Sequence, residues 1–265
     1  MQEFFLDSIP FIPDFEALAK RLHIRAGSPF MADLQGFVSE MQATARPKVF
    51  YKIAFIDKTD TDTLVIDGVT FHSRILCVNL AEVDRVFVYL ATCGTELADR
   101  REQEQDILFQ FWADAIMETA VRAAVEALQA DLTARFQTGK TSVMNPGSLK
   151  DWPITEQKPF FQLLGPGALQ TGVVLNDSML MHPAKSITGL YFETESGFVS
   201  CQLCPRQTCP NRRSDYIPGL LDQKYPGKLV LTQNFGLSNA SGRAPREKVG
   251  LKIATNPMTV ICTRR

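Results

Sequence analysis

The sequence predicts an α+β fold, a mixed or antiparallel sheet flanked by helices of which one is long. Three observations carry this: apolar residues three and four apart near the start, β-branched and aromatic runs between residues 49 and 91, and sustained helical periodicity from Glu102 to Gln137. In chain order, Phe15–Leu22 and Phe30–Met41 read as two short amphipathic helices. Val49–Ile56, Thr63–Phe71 and Val86–Ala91 read as strands, with Asp67-Gly68 supplying a hairpin turn inside the second. In the long helix, Leu108, Phe111, Trp112, Ala115, Ile116, Ala120, Ala123, Ala124, Ala127 and Leu128 keep to one stripe. Asp114, Glu118, Arg122 and Glu126 lie on the other, where Glu118–Arg122 and Arg122–Glu126 are spaced to pair. Gly139 is the expected end of that helix. Further on, Gly172–Leu175, Ile187–Phe192 and Gly197–Gln202 read as strands, the last two joined as a hairpin across Glu195-Ser196-Gly197. Eleven of the fifteen prolines follow residue 145, which favours shaped loops over long helices in the second half. The best boundary is Gly139–Met144, giving a part over 1–140 and a part over 141–265, or one continuous domain.

At 265 residues and 45% hydrophobic content the chain can bury a large core, so one or two compact units are expected. The start is acidic and broken by Pro10, unlike a secretory leader, and the apolar stretches are too short to span a bilayer. A cytoplasmic protein is expected, in which the six cysteines are not disulfide-bonded. Charge is polarised: residues 201–265 carry eleven Lys and Arg against Asp215, Asp222 and Glu247, a balance of +8, which leaves −9 for the first two hundred. A basic part of this kind suits an anionic partner, cofactor or thiolate centre, or is a solvated face. No phosphate loop, Gly-x-Ser-x-Gly elbow or His-Glu-x-x-His helix is present, which removes support for ATP-driven and hydrolytic roles.

The most specific stretch runs from Asn145 to Phe192. It contains Asn145-Pro-Gly-Ser-Leu-Lys-Asp-Trp-Pro153, Glu156-Gln157, Pro183-Ala184 and Gly189-Leu-Tyr-Phe192 in order. Together they resemble the activation domain of cobalamin-dependent methionine synthase, the module that uses S-adenosylmethionine to rescue an oxidised corrinoid. Upstream, Ala45-Arg-Pro-Lys-Val49 and Leu90-Ala-Thr-Cys-Gly94 resemble stand-alone forms of that module.

The resemblance implies an activation-domain-like fold and a cofactor site at Gly147, Tyr191 and Phe192. In the family an arginine four residues before the glycine of a Pro-Gly-Tyr turn, that glycine and tyrosine, and a later Tyr-Phe pair help to hold S-adenosylmethionine. Pro146-Gly147 and Tyr191-Phe192 match; the arginine position is Val143 and the tyrosine position is Ser148. Val143 cannot reproduce the planar guanidinium fork that pairs with a carboxylate. Read without the family, Pro146-Gly147 is an ordinary turn and Tyr191-Phe192 a pair of packed strand aromatics.

A second signal is Cys201-Gln-Leu-Cys204-Pro-Arg-Gln-Thr-Cys209, three thiols close enough in sequence to converge on zinc or an iron–sulfur cluster. A fourth ligand would come from Cys262, Cys93, Cys77 or His182, and Arg206, Arg212 and Arg213 would offset thiolate charge. The plain alternative is a proline-rich loop with reduced thiols. Cys93, ahead of a helix, reads as a small buried residue rather than a reactive thiol.

The expected function is a stand-alone activation subunit that supports reductive methylation of a corrinoid on a partner methyltransferase, with S-adenosylmethionine as donor and cobalamin carried by the partner. The corrinoid-ligating Asp-x-His-x-x-Gly is not in this chain. The alternative is a metal or iron–sulfur accessory protein that docks on, or passes electrons to, a corrinoid protein. Expected partners are a corrinoid protein or cobalamin-dependent methyltransferase and an electron donor, with neither nucleic acid nor membrane.

Overall fold

A seven-stranded sheet, antiparallel at every pairing, organises the chain in the computed structural model, which describes residues 2–195, 197–209 and 212–225. Its strands are β1 (Glu3–Leu6), β2 (Lys48–Thr59), β3 (Thr63–Ile66), β4 (Val69–His72), β5 (Arg85–Thr92), β6 (Thr141–Met144) and β9 (Ser186–Glu193). A separate short hairpin is made by β7 (Val174–Leu175) and β8 (Met181–His182). The sheet order is β4-β3-β2-β5-β9-β6, with β1 also paired to β2. The long β2 serves two partners on one edge, β1 over Val49–Lys52 and β3 over Ile56–Thr59, and changes register between Ile56 and Lys58.

Helices cover both faces of the sheet. They are α1 (Phe15–Arg21), α2 (Phe30–Thr44), α3 (Arg74–Asn79), α4 (Thr95–Gln103), α5 (Ile107–Phe136), α6 (Gln157–Leu164) and α7 (Leu220–Lys224). Alternation along β5 shows the two layers: Phe87, Tyr89 and Ala91 join the core under α2 and α5, whereas Val86, Val88 and Leu90 join the core under α3 and α6. Burial on both faces explains why β5 and β9 read as almost unbroken apolar runs. Each Leu or Phe so buried contributes about 1.5–3 kcal/mol. Residues before and after 141 share this sheet, since β6 and β9 extend it from β5. No helix among the described residues is long and apolar enough to cross a membrane.

Several sequence expectations change. The long helix begins at Ile107 rather than Glu102, because the polar run Glu102–Asp106 has no apolar anchor and Asp106, in extended conformation, caps the helix through the Leu108 amide at 2.7 Å. Its end is set by Gln137 in the left-handed region (φ 50°), two residues before Gly139. Phe111 on the predicted stripe is 58% exposed, while Glu118, expected on the polar stripe, is 3% exposed; α2 and α4 pack on α5, which itself packs on the sheet. Thr141–Met144 is an edge strand, and Glu3–Leu6 is a strand that the sequence reading did not include. The predicted strand over Gly197–Gln202 is not formed: Ser200–Leu203 is a single 3-10 turn, and Val199 makes one parallel bridge to Val143. Cys262 and most of the basic C-terminal part lie outside the described residues.

Candidate functional site

The segment after β6 is built around Asn145. Its amide Nδ2 donates to the Tyr89 hydroxyl at 2.8 Å and to the Thr188 carbonyl at 2.6 Å, so a fully buried side chain crosses from β6 over β9 to β5. This path lies over Gly189, where a Cβ would stand 2.4 Å from Asn145 Nδ2 and 2.7 Å from the Met144 carbonyl. Asn145 Oδ1 is buried without a hydrogen-bond partner among the described residues. The chain then turns at Gly147, whose amide donates to the Trp152 carbonyl at 2.8 Å, while Ser148 donates back to the Asn145 carbonyl. Asp151 fastens this loop to α3 by accepting from the Ser73 hydroxyl at 2.6 Å and the Ile75 amide at 2.8 Å.

Gly147 has φ 83°, and a Cβ on it would meet Ile154 Cδ1 at 2.8 Å. Both conditions select glycine. Gly147→Ala is therefore expected to destabilise the fold by about 1–3 kcal/mol, read by urea denaturation. A loss below about 0.5 kcal/mol would mean that the turn tolerates a side chain.

Where α5 passes over β5, β9 and β6, a narrow cleft of about 30 Å³ remains. Its floor is Tyr89, Val143, Asn145, Ile187 and Tyr191 from the sheet. Arg122, Val125, Glu126 and Gln129 of α5 form one wall, and Arg213 enters from the cysteine-rich segment. The Tyr89 and Tyr191 rings lie 5.1 Å apart, and Gln129 Nε2 donates to the Tyr191 hydroxyl at 2.9 Å, which fixes that ring.

Beneath the wall, Glu118 accepts from Arg21 at 2.6 Å and from Arg122 at 2.7 Å. Burial raises its carboxyl, but the Arg21 hydrogen bond and the charges of Arg21, Arg122 and Lys185 outweigh this and hold it below the ordinary carboxylate range. Arg122 thus reaches the cleft already tied to a carboxylate.

Of the residues expected from sequence, Tyr191 lines the cleft. Phe192 points to the opposite core layer and is fully buried there, as strand alternation requires. Gly147 shapes the turn beyond Asn145 and is not on the cleft lining. Val143 and Asn145 are on the lining, Val143 in the place where the resemblance has arginine.

Among the described residues no three Cys, His, Asp or Glu side chains are grouped to hold a metal ion. Cys201 is buried in its 3-10 turn, and Cys204 and Cys209 are half-buried. The loop instead wraps Arg212, whose guanidinium donates to the carbonyls of Cys201, Cys204, Arg206 and Ser214. Cys77 and Cys93 lie in opposite core layers, and burial pushes their thiols up to about 11 and about 12. His182 faces Glu102 at 4.0 Å.

Tyr89, Gln129 and Arg213 line the cleft and Gly189 lies beneath Asn145; the sequence reading assigned none of them to a cofactor site. Only Gly189 carried a local signal, an isolated glycine in an apolar strand that marks close approach of another segment.

No model of a protein family matches this chain, and no curated protein matches it. Among solved structures, the crystal structure of the MetH reactivation domain bound to AdoHcy is similar over 75% of this chain and 80% of that one, with a TM-score of 0.52 and 15% identity. At that identity the likeness establishes the fold. The activation-domain-like α+β architecture expected from Asn145–Phe192 is the one this chain has.

Proposed function

We propose that this chain is an activation module that binds S-adenosylmethionine or its demethylated product in the cleft between α5 and the sheet, and supports reductive methylation of a corrinoid held by a partner protein. One observation carries the reading: Val143, Asn145 and Tyr191, separated by up to 48 positions in the chain, line one cleft between α5 and the sheet. The structurally similar MetH reactivation domain is a domain bound to AdoHcy.

When bound, S-adenosylmethionine supplies a methyl group on a positively charged sulfur. Tyr89 and Tyr191 line the cleft as a packed aromatic pair, 1% and 3% exposed, and aromatic rings attract such a cation. Gln129 holds Tyr191 in place, and the amide of Asn145 holds Tyr89, so the aromatic floor is ordered before any ligand arrives. The α5 wall excludes water from one side, and the open side leaves room for a partner to approach. The contribution of such a site is orientation, which turns a bimolecular encounter into a directed one.

Calorimetric titration with S-adenosylmethionine tests the reading. Saturable binding is expected, weakened about tenfold by Tyr191→Ala and less by Tyr191→Phe, which keeps the ring and loses the acceptor for Gln129. No saturable binding by the wild-type chain, checked by equilibrium dialysis, overturns it.

A further inference from the structure

We propose that Arg213, delivered by the cysteine-rich segment, binds the carboxylate of the ligand, so that this segment completes the cleft. The inference rests on the ligand reading above and adds the residue that recognises the anionic end.

Two cations stand among the described residues of the lining, Arg122 and Arg213. Arg122 is held by the buried Glu118 carboxylate at 2.7 Å. The half-buried Arg213 side chain takes part in no hydrogen bond or ion pair with another described residue. A half-buried guanidinium with no partner among the described residues is suited to a carboxylate, to which it can bond bidentately.

The segment is anchored at both ends of the relevant stretch. Val199 bridges Val143, itself on the cleft floor, so the segment starts at the rim. Arg212 is pinned by the four carbonyls it contacts, which fixes the backbone next to Arg213. Carboxylate rather than phosphate is favoured because Glu126 stands on the α5 wall of the same cleft. A phosphate dianion would be repelled there, whereas a zwitterion with one carboxylate and one ammonium finds an opposite charge for each. The apolar Val143 on the floor leaves the cation to come from elsewhere, and Arg213 supplies it.

Two ligands separate this inference from the reading beneath it: S-adenosylhomocysteine, which carries the carboxylate, and 5′-methylthioadenosine, which does not. Arg213→Ala is expected to weaken S-adenosylhomocysteine at least about tenfold and to leave 5′-methylthioadenosine within about twofold. Arg213→Lys should restore part of the loss, since a point charge replaces the fork. Unchanged S-adenosylhomocysteine affinity in Arg213→Ala, with the wild type binding and Tyr191→Ala weakened, overturns the role of Arg213 and leaves the ligand reading standing. Equal weakening of both ligands also overturns it, since Arg213 would then act through loop structure. Failure of the wild-type chain to bind either ligand overturns the ligand reading and this inference with it.

Discussion

Gly189→Ala is expected to cost about 3–5 kcal/mol of stability and to abolish ligand binding in the cleft, an effect at the upper end for one added methyl. The added Cβ would lie 2.4 Å from Asn145 Nδ2, 2.7 Å from the Met144 carbonyl and 2.8 Å from Tyr89 Cε1. None of these neighbours yields easily. Met144 is backbone in a paired strand, Tyr89 sits directly opposite Gly189 in the β5–β9 ladder, and Asn145 is held by two hydrogen bonds. Relief therefore means moving Asn145, which strands a buried amide and releases the Tyr89 hydroxyl from it. Urea denaturation and ligand titration of the same variant read both consequences. Combining Gly189→Ala with Asn145→Ala should cost less than the sum of the single changes, because the second removes the atom that the first strikes. A Gly189→Ala protein within about 1 kcal/mol of wild type and with unchanged affinity would show that β6 and β9 have slack, contrary to the packing argument.

What the sequence made legible follows from which interactions are local. β2, β5 and β9 declare themselves because strands buried on both faces are apolar at successive positions, and the Asp67-Gly68 hairpin is written in two adjacent residues. The stretch from Asn145 to Phe192 is likewise readable, since its turn glycine and its aromatic strand lie within one segment. The predicted start of the long helix falls at Glu102 rather than at Ile107, although Asp106 is a capping residue, because the polar residues between suit a solvated helix face as well as a loop. β6 was missed because four residues following a helix end give too short a run to show alternation; β9 and its pairing decide the matter.

The site divides in the same way. Tyr191 and Phe192 are adjacent in sequence, and strand geometry sends them to opposite layers, so a motif that names both cannot place both on one cleft. Arg213 was read only as counter-charge for thiolates, since nothing local to Cys201–Arg213 shows that Val199 bridges Val143 and brings the segment beside α5. Glu118 was read as solvated because its i+4 pairing with Arg122 is a surface pattern; Arg21, 97 positions away, is what lets the carboxylate be buried.

That burial sets up the second large effect. Glu118→Gln keeps the side-chain shape and removes the charge between Arg21 and Arg122, leaving two guanidinium groups facing each other across a neutral amide. Removing one partner of a fully buried ion pair costs about 3–5 kcal/mol. The Arg21 and Arg122 side chains are 38% and 31% exposed, so water screens part of the loss and about 2–3 kcal/mol is expected here. The pH dependence separates charge from shape. The folded carboxyl is held below its ordinary value of 4.5, so its stabilisation is present above that value and is lost as pH falls through the folded one. The gap between wild type and Glu118→Gln should then be full at pH 7 and shrink steadily in acid below about pH 4.5, as the wild-type carboxylate takes up its proton. Urea denaturation at several pH values measures that gap. A gap that stays constant from neutral pH into strong acid would assign the stabilisation to packing of the side chain, and Arg122 would then reach the cleft without a charge anchor.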